Sequence, residues 1–227
     1  APDHMLTVGA ALPLLPIAAT FGYYGLPDSF RELLLVQFAP QVLAYIALGL
    51  WATRTTQVAI QLGLEKEKIR SGLQWGVLTG LFLGSLNTFV ILAVYPHLGY
   101  DITFLKQTPH GRLPVLLMVP WLICGIALFV EVNFRGFLLG RLAELASHWR
   151  GTDSRQRPAL FALAVSSLTF AFDPFMVNTF QHLHWIALWD GLIWGTIWLR
   201  TRNLWITIVA HAIEVIILYS AVKAAIG

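Results

Sequence analysis

Runs of about twenty consecutive, predominantly apolar residues recur along the whole chain, and each is long enough to cross the hydrocarbon core of a bilayer as a helix. In lipid every backbone N–H and C=O must find a partner inside the protein, so runs of this kind fold as helices. Of the 227 residues 57% are hydrophobic and only 12% charged, and the mean hydropathy is positive, which lies outside the range of soluble domains. The expected fold class is therefore all-α, a polytopic membrane helix bundle of about seven spans, with six to eight as the range a chain of this length can hold. The expected cores are residues 6–22, 33–52, 74–96, 114–134, 159–178, 185–199 and 204–224. Residues 1–227 read as a single transmembrane domain, because no linker, internal repeat or low-complexity tract divides them. The fourth run is expected to continue past the membrane as an amphipathic helix through Leu138, Leu139, Leu142 and Leu145. The sixth is short and rich in tryptophan, and Asp173-Pro174 should end or bend the fifth, since the residue before a proline is driven out of the helical region.

Charge sets the expected orientation. With seven spans, one side holds Arg54, Lys66, Lys68, Arg70, Arg141, Arg150, Arg155, Arg157, Arg200 and Arg202, and the other holds Arg31, Lys106, Arg112 and Lys223. Ten against four is the asymmetry that the positive-inside rule requires with the amino terminus cytoplasmic and the carboxyl terminus outside, as in a prokaryotic inner membrane. The net charge of +3 then belongs to topology, and nucleic-acid binding is excluded because no basic stripe with interleaved aromatics is present. Residues 57–71 read as an interfacial stretch, and residues 141–158 as a solvated loop near anionic headgroups. Ala1 to Met5 carry no signal-peptide pattern. Cys124 is the single cysteine, so an intrachain disulfide is impossible and a packing role is expected.

Ionisable groups within apolar runs are costly and call for a reason. Glu131 and Arg135 stand one helical turn apart, a spacing that lets them pair, either as a structural ion pair or as an acid or base held by its partner. His211 and Glu214 share a face of the last run, where they could bond each other, meet Arg135 or contribute to a metal site. Two such ligands do not complete a zinc site, so no metal and no other cofactor is expected. His182 and His184, beside Trp185, read as interfacial.

These residues carry a resemblance. The stretch from Glu131 to Leu142, with Arg135 followed by Gly136, resembles the first signature of the CAAX protease and bacteriocin-processing family: two adjacent glutamates, three residues, an arginine and commonly a glycine. Ser166-Ser167-Leu168-Thr169-Phe170 resembles the second, whose phenylalanine precedes a histidine by four. Gly191 to Gly195, Leu199 to Trp205 and then His211 resemble the third, whose histidine is followed four residues later by asparagine. With Leu62-Gly63-Leu64 ahead of them, the similarity extends over about residues 60–220. The resemblance implies an intramembrane endopeptidase fold, but three of its positions differ. Val130 stands where the family has its first glutamate, Pro174 where it has the second-motif histidine, and Val215 where it has the asparagine. Glu131, Arg135, Phe170 and His211 are retained.

Hydrolysis in that family's manner needs a general base on water and donors for the oxyanion. With valine and proline in the base positions, the chain reads as a degenerate, non-catalytic relative that binds a partner transmembrane segment as a subunit or assembly factor in the lipid bilayer. A second reading keeps an active endopeptidase with a rearranged site, either through His184 in a shifted alignment or through Glu131, Asp173, Glu214 and His211 together. A third is a pigment- or lipid-binding subunit using His211.

Overall fold

The computed structural model describes residues 11–150 and 156–226, and no strand occurs among them. Among the described residues four helical stretches are long and apolar enough to cross a membrane: Leu34–Ala52, Val58–His97, Leu116–Ser147 and Leu204–Ala225. Pro158–Ala171 and Pro174–Leu183, bent by 51° at the break, add a fifth if they form one span. The helical membrane class therefore holds, with four or five candidate spans among the described residues against the seven expected. The helix in the first expected run, Leu14–Tyr23, has 10 residues, and that in the sixth, Ile186–Thr201, has 16. At 1.5 Å per residue these measure about 15 and 24 Å, short of the roughly 30 Å hydrocarbon core. Residues 6–10 of the first expected run lie outside the described residues.

The chain divides into two compact units, each made of two segments. One comprises Gly63–Glu131 and Asn203–Gly227, the other Ala1–Leu62 and Val132–Arg202.

In the first unit the central contact is between the helices Ile69–Phe89 and Leu204–Ile226. Gly72, Gly76, Gly80 and Gly84 recur every fourth residue and so fall on one helix face. A Cβ at Gly72 would lie 2.3 Å from Cβ of Trp205, and one at Gly76 2.6 Å from Cβ of Val209. At Gly80 it would meet the Ala210 carbonyl oxygen at 2.8 Å, and at Gly84 the Cα of Glu214 at 3.0 Å. Glycine is required at these positions because the opposing helix occupies the space of a side chain. Association in lipid depends on such close backbone packing, since burial of apolar surface gives no net gain there. The Leu204–Ile226 helix is tied at both ends. Asn203 Oδ1 accepts from the Trp205 amide, and its Nδ2 donates to Ser71 Oγ and the Lys68 carbonyl. Lys223 Nζ donates to the carbonyls of Gly111 and Leu113.

In the second unit, Gln156–Ala171 packs on Ile186–Thr201 through a second set of close approaches. A Cβ at Gly191 would lie 3.0 Å from Ser167 Oγ, and one at Gly195 2.4 Å from Leu163 Cδ1. Asp173-Pro174 breaks the chain as expected: one helix ends at Ala171, and Pro174 opens the next at a position where its missing N–H is harmless. The Asp173 carboxylate caps that helix by accepting from the Phe175 amide at 3.0 Å and takes a second bond from Gln41 Nε2 at 2.9 Å.

Residues 141–150 correct the expected solvated loop. The chain is helical from Gly140 to Arg150, and the extension foreseen through Leu138, Leu139, Leu142 and Leu145 is present with all four buried. Arg141 is buried as well, ion-paired to Glu144 one turn on and lying over the Trp51 ring. Asp153 and Arg155 lie outside the described residues.

The glycine seam yields a direct test. Gly80→Ala should lower stability by about 1–3 kcal/mol, the usual cost of forcing extra volume into a filled contact. Gly49→Ala, with nothing within 4 Å of the added methyl, should leave stability unchanged or slightly raised. Reversible unfolding of both variants in mixed micelles separates the two outcomes, and equal behaviour would show that the seam is not a tight contact.

Candidate functional site

Within the first unit, Glu131 ends a short α-helical turn, Leu128–Glu131, and its carboxylate oxygen Oε1 lies 2.9 Å from Nδ1 of His211 on the Leu204–Ile226 helix. Glu131 is fully buried and His211 is 7% exposed, so water does not reach the carboxylate. The sequence left three partners open for His211; the structure puts it on Glu131. Glu214, one turn further along, is bonded by Asn87 Nδ2 at 2.5 Å. Asn87 was not singled out from sequence. The available signal was a buried amide group inside an apolar run, three residues beyond Gly84 on the glycine face.

From Val132 to Leu139 the helix is π-helical. Such wide turns are uncommon and concentrate at functional positions, and they alter the i,i+4 register assumed from sequence. In the second unit Arg135 is 2% exposed, with its guanidinium 4.4 Å from the centroid of the Phe170 ring and 5.2 Å from that of Trp194. A guanidinium at these distances is held by the ring quadrupoles. Ser166 Oγ donates to the Phe134 carbonyl, and the Phe134 ring rests 4.9 Å from Phe170. The retained arginine and the phenylalanine of the second motif thus sit in one aromatic setting.

The other expected positions are each engaged locally. His184 stacks near Phe172 and Trp185, and its Nδ1 lies 2.5 Å from the Gln181 carbonyl. Pro174 is the first residue of its helix, and Asp173 serves as that helix's cap. Among the described residues no group of three or more His, Cys, Asp and Glu could hold a metal ion.

A second buried histidine, His110, was also missed. It lies in the short helix Pro109–Arg112, outside the candidate spans, with Trp121 Nε1 donating to its Nδ1 at 3.3 Å and the Tyr219 ring packed edge-on at 5.4 Å. Tyr219 shares a hydrogen bond with Thr108. An indole N–H only donates, so this contact requires an unprotonated Nδ1. Burial, and then the nearby His211, push His110 down from 6.5 to about 4. Between those values the unfolded chain binds more protons, so the contribution is full above about pH 6.5 and is lost as pH falls towards 4. His110→Asn should therefore remove up to about 2 kcal/mol of the stability difference between pH 7 and pH 5. Parallel urea titrations at the two pH values check this, and an unchanged acid-side loss would show that other groups cause it.

No curated protein matches the chain, and no solved structure matches it. Residues 112–217 match the family model described as Rce1-like, type II CAAX prenyl endopeptidase Rce1-like. The matched stretch includes Glu131, Arg135, Phe170, His184 and His211, and it begins downstream of Leu62-Gly63-Leu64. Over residues 112–217, just under half of the chain, the sequence is similar to the Rce1-like type II prenyl endopeptidases, and its candidate spans are those of an integral membrane protein.

Proposed function

We propose that this chain is a non-catalytic relative of the CAAX endopeptidases that binds a partner transmembrane segment as a subunit or assembly factor of a membrane complex. The observation that carries the reading is the pairing of Glu131 with His211. The two proton-handling groups retained from the family motifs are hydrogen-bonded to each other and sealed from solvent. A hydrolytic base must reach a water and a scissile carbonyl, which a carboxylate with no exposed surface does not do. The second support is chemical: Val130, Pro174 and Val215 accept no proton with their side chains, and Pro174 is committed to starting a helix.

On this reading Glu131 and His211 form a clamp that fixes the helices of their unit, and Arg135 does the same within its aromatic cage. The partner is a membrane protein, recognised through apolar helix surface in the bilayer and without a cofactor. With the seven spans expected from the sequence, the excess of Lys and Arg in the loops on one side favours a cytoplasmic amino-terminal side and an outward carboxyl-terminal side in a prokaryotic inner membrane.

Proteoliposomes carrying the wild-type chain should cleave a prenylated CAAX peptide no faster than those carrying Glu131→Gln. His211→Ala should lower stability by about 3–5 kcal/mol, because it leaves a buried carboxylate without its partner. Mild extraction from native membrane should recover a second membrane protein in fixed ratio. Robust cleavage that Glu131→Gln abolishes in a folded protein would establish the rearranged endopeptidase instead, and recovery of the chain alone as a monodisperse species would overturn the partner.

A further inference from the structure

An apolar groove of about 650 Å³ opens in the unit formed by Gly63–Glu131 and Asn203–Gly227, lined by Pro109, Leu113, Leu117, Trp121, Gly125 and Phe129. That volume is in the range of ligand pockets. Leu117, Trp121 and Phe129 are exposed although each is a large hydrophobic residue. From Leu117 onward these residues recur every fourth position, so they follow one face of the helical stretch Leu116–Ser147.

Trp121 is the fixed wall of the groove. Its Nε1 hydrogen goes to His110 Nδ1, and a Cβ at Gly125 would lie 2.8 Å from its Cε3, so the missing side chain leaves the place where the indole rests. The one polar side-chain atom among these six residues is thereby committed. What the groove offers an occupant is hydrocarbon.

The two ends differ. Pro109 and Leu113 lie before the candidate span, whereas Phe129 lies within it. At the Leu113 end, Lys223 Nζ donates to the Gly111 carbonyl at 2.7 Å and to the Leu113 carbonyl at 2.9 Å. Both acceptors are uncharged, an ammonium has a third hydrogen to give, and among the described residues no carboxylate pairs with it. Arg112, which stands between those two carbonyls in the chain, is exposed. Lys106 is exposed at the same edge, its Cα 2.9 Å from where a Gly111 Cβ would be. Asp101, the nearest acid in sequence, is bonded to Thr103.

Length selects the occupant. From Leu117 to Phe129 the face runs at most about 18 Å at 1.5 Å per residue, close to the roughly 15 Å depth of one leaflet and short of the roughly 30 Å that a crossing helix needs. A hydrocarbon trough one leaflet deep, with cations at its outer lip only, matches an acyl chain that ends in an anionic head.

We propose that this groove holds one acyl chain of an anionic phospholipid, whose headgroup phosphate is bound at the edge by Lys223 and Arg112. Basic pockets between transmembrane helices bind such headgroups. Two carbonyls already orient the Lys223 ammonium, and His110 already fixes the Trp121 indole, so little order has to be imposed when the lipid enters.

The full-length chain in detergent is titrated with phosphatidylglycerol or with phosphatidylcholine, whose choline cation offsets its phosphate, and the first retained lipid is read by native mass spectrometry. Phosphatidylglycerol should bind at least about fivefold more tightly, and Arg112→Gln should cut that preference about fivefold. Lys66→Gln/Arg70→Gln, which removes two charges at the start of Ile69–Phe89, should keep it. Leu117→Trp is the decisive variant: from an exposed position it fills the trough, and it should abolish retention of the first lipid of either kind at an unchanged unfolding temperature. Unchanged retention in Leu117→Trp puts the lipid elsewhere and overturns the groove. Equal affinity for the two lipids, or an equal loss in the Lys66/Arg70 variant, overturns the headgroup site. A wild-type dimer that Leu117→Trp dissociates would give the groove to a second copy, and displacement of phosphatidylglycerol by equimolar farnesol would give it to an isoprenoid chain; either overturns the phospholipid.

Discussion

The close backbone approach of Ile69–Phe89 to Leu204–Ile226 governs the chemistry of its unit. Four glycines at four-residue spacing let the second helix fill the volume their side chains would take. That approach has a polar consequence at its far end. Asn87 continues the glycine face and reaches Glu214 at 2.5 Å, a contact that a bulkier seam would pull apart. The same helix carries His211 one turn before Glu214, where its ring faces Glu131. Packing and electrostatics are thus coupled. The seam positions the last helix, and the last helix brings two buried acids to an amide and an imidazole.

Much of this was legible in the sequence, and the reasons differ by feature. Hydropathy identified the helical membrane class because lipid leaves the backbone few alternatives. Asp173-Pro174 was readable as a break because proline constrains its predecessor locally, whatever the tertiary context. Glu131, Arg135 and His211 stood out because ionisable groups in apolar runs are rare. Other features depended on neighbours that sequence does not display. The four glycines are visible as letters, but their meaning comes from Trp205, Val209, Ala210 and Glu214, more than a hundred residues away. The π-helical turns at Val132–Leu139 break the α-helical period on which the Glu131 to Arg135 spacing was judged. Arg141 read as a wet loop residue because its charge outweighed the buried leucines around it; its salt bridge and its ring contact make burial tolerable. Four or five of the expected spans qualify by both apolar content and helical length among the described residues, because hydropathy registers apolar content alone, whereas crossing a bilayer also demands unbroken helical length.

Several buried polar groups in this protein are hydrogen-bonded in pairs. Glu131 has His211, Glu214 has Asn87, Asp173 has Gln41 and a helix amide, and Tyr219 has Thr108. Such pairs are expensive to break, because deleting one member exposes the other to an environment that does not solvate it. They also specify geometry, since each has one arrangement that satisfies both partners. A hydrolytic site is built on the opposite condition, with proton-handling groups held ready for water and substrate.

Arg202 marks where this logic changes. Its left-handed backbone is a local cost that a glycine would avoid, and its guanidinium lies over an indole at the protein's polar edge. In the interior, polar side chains are matched to one another; at Arg202 the guanidinium is also matched to the face of an aromatic ring, whose quadrupole attracts it.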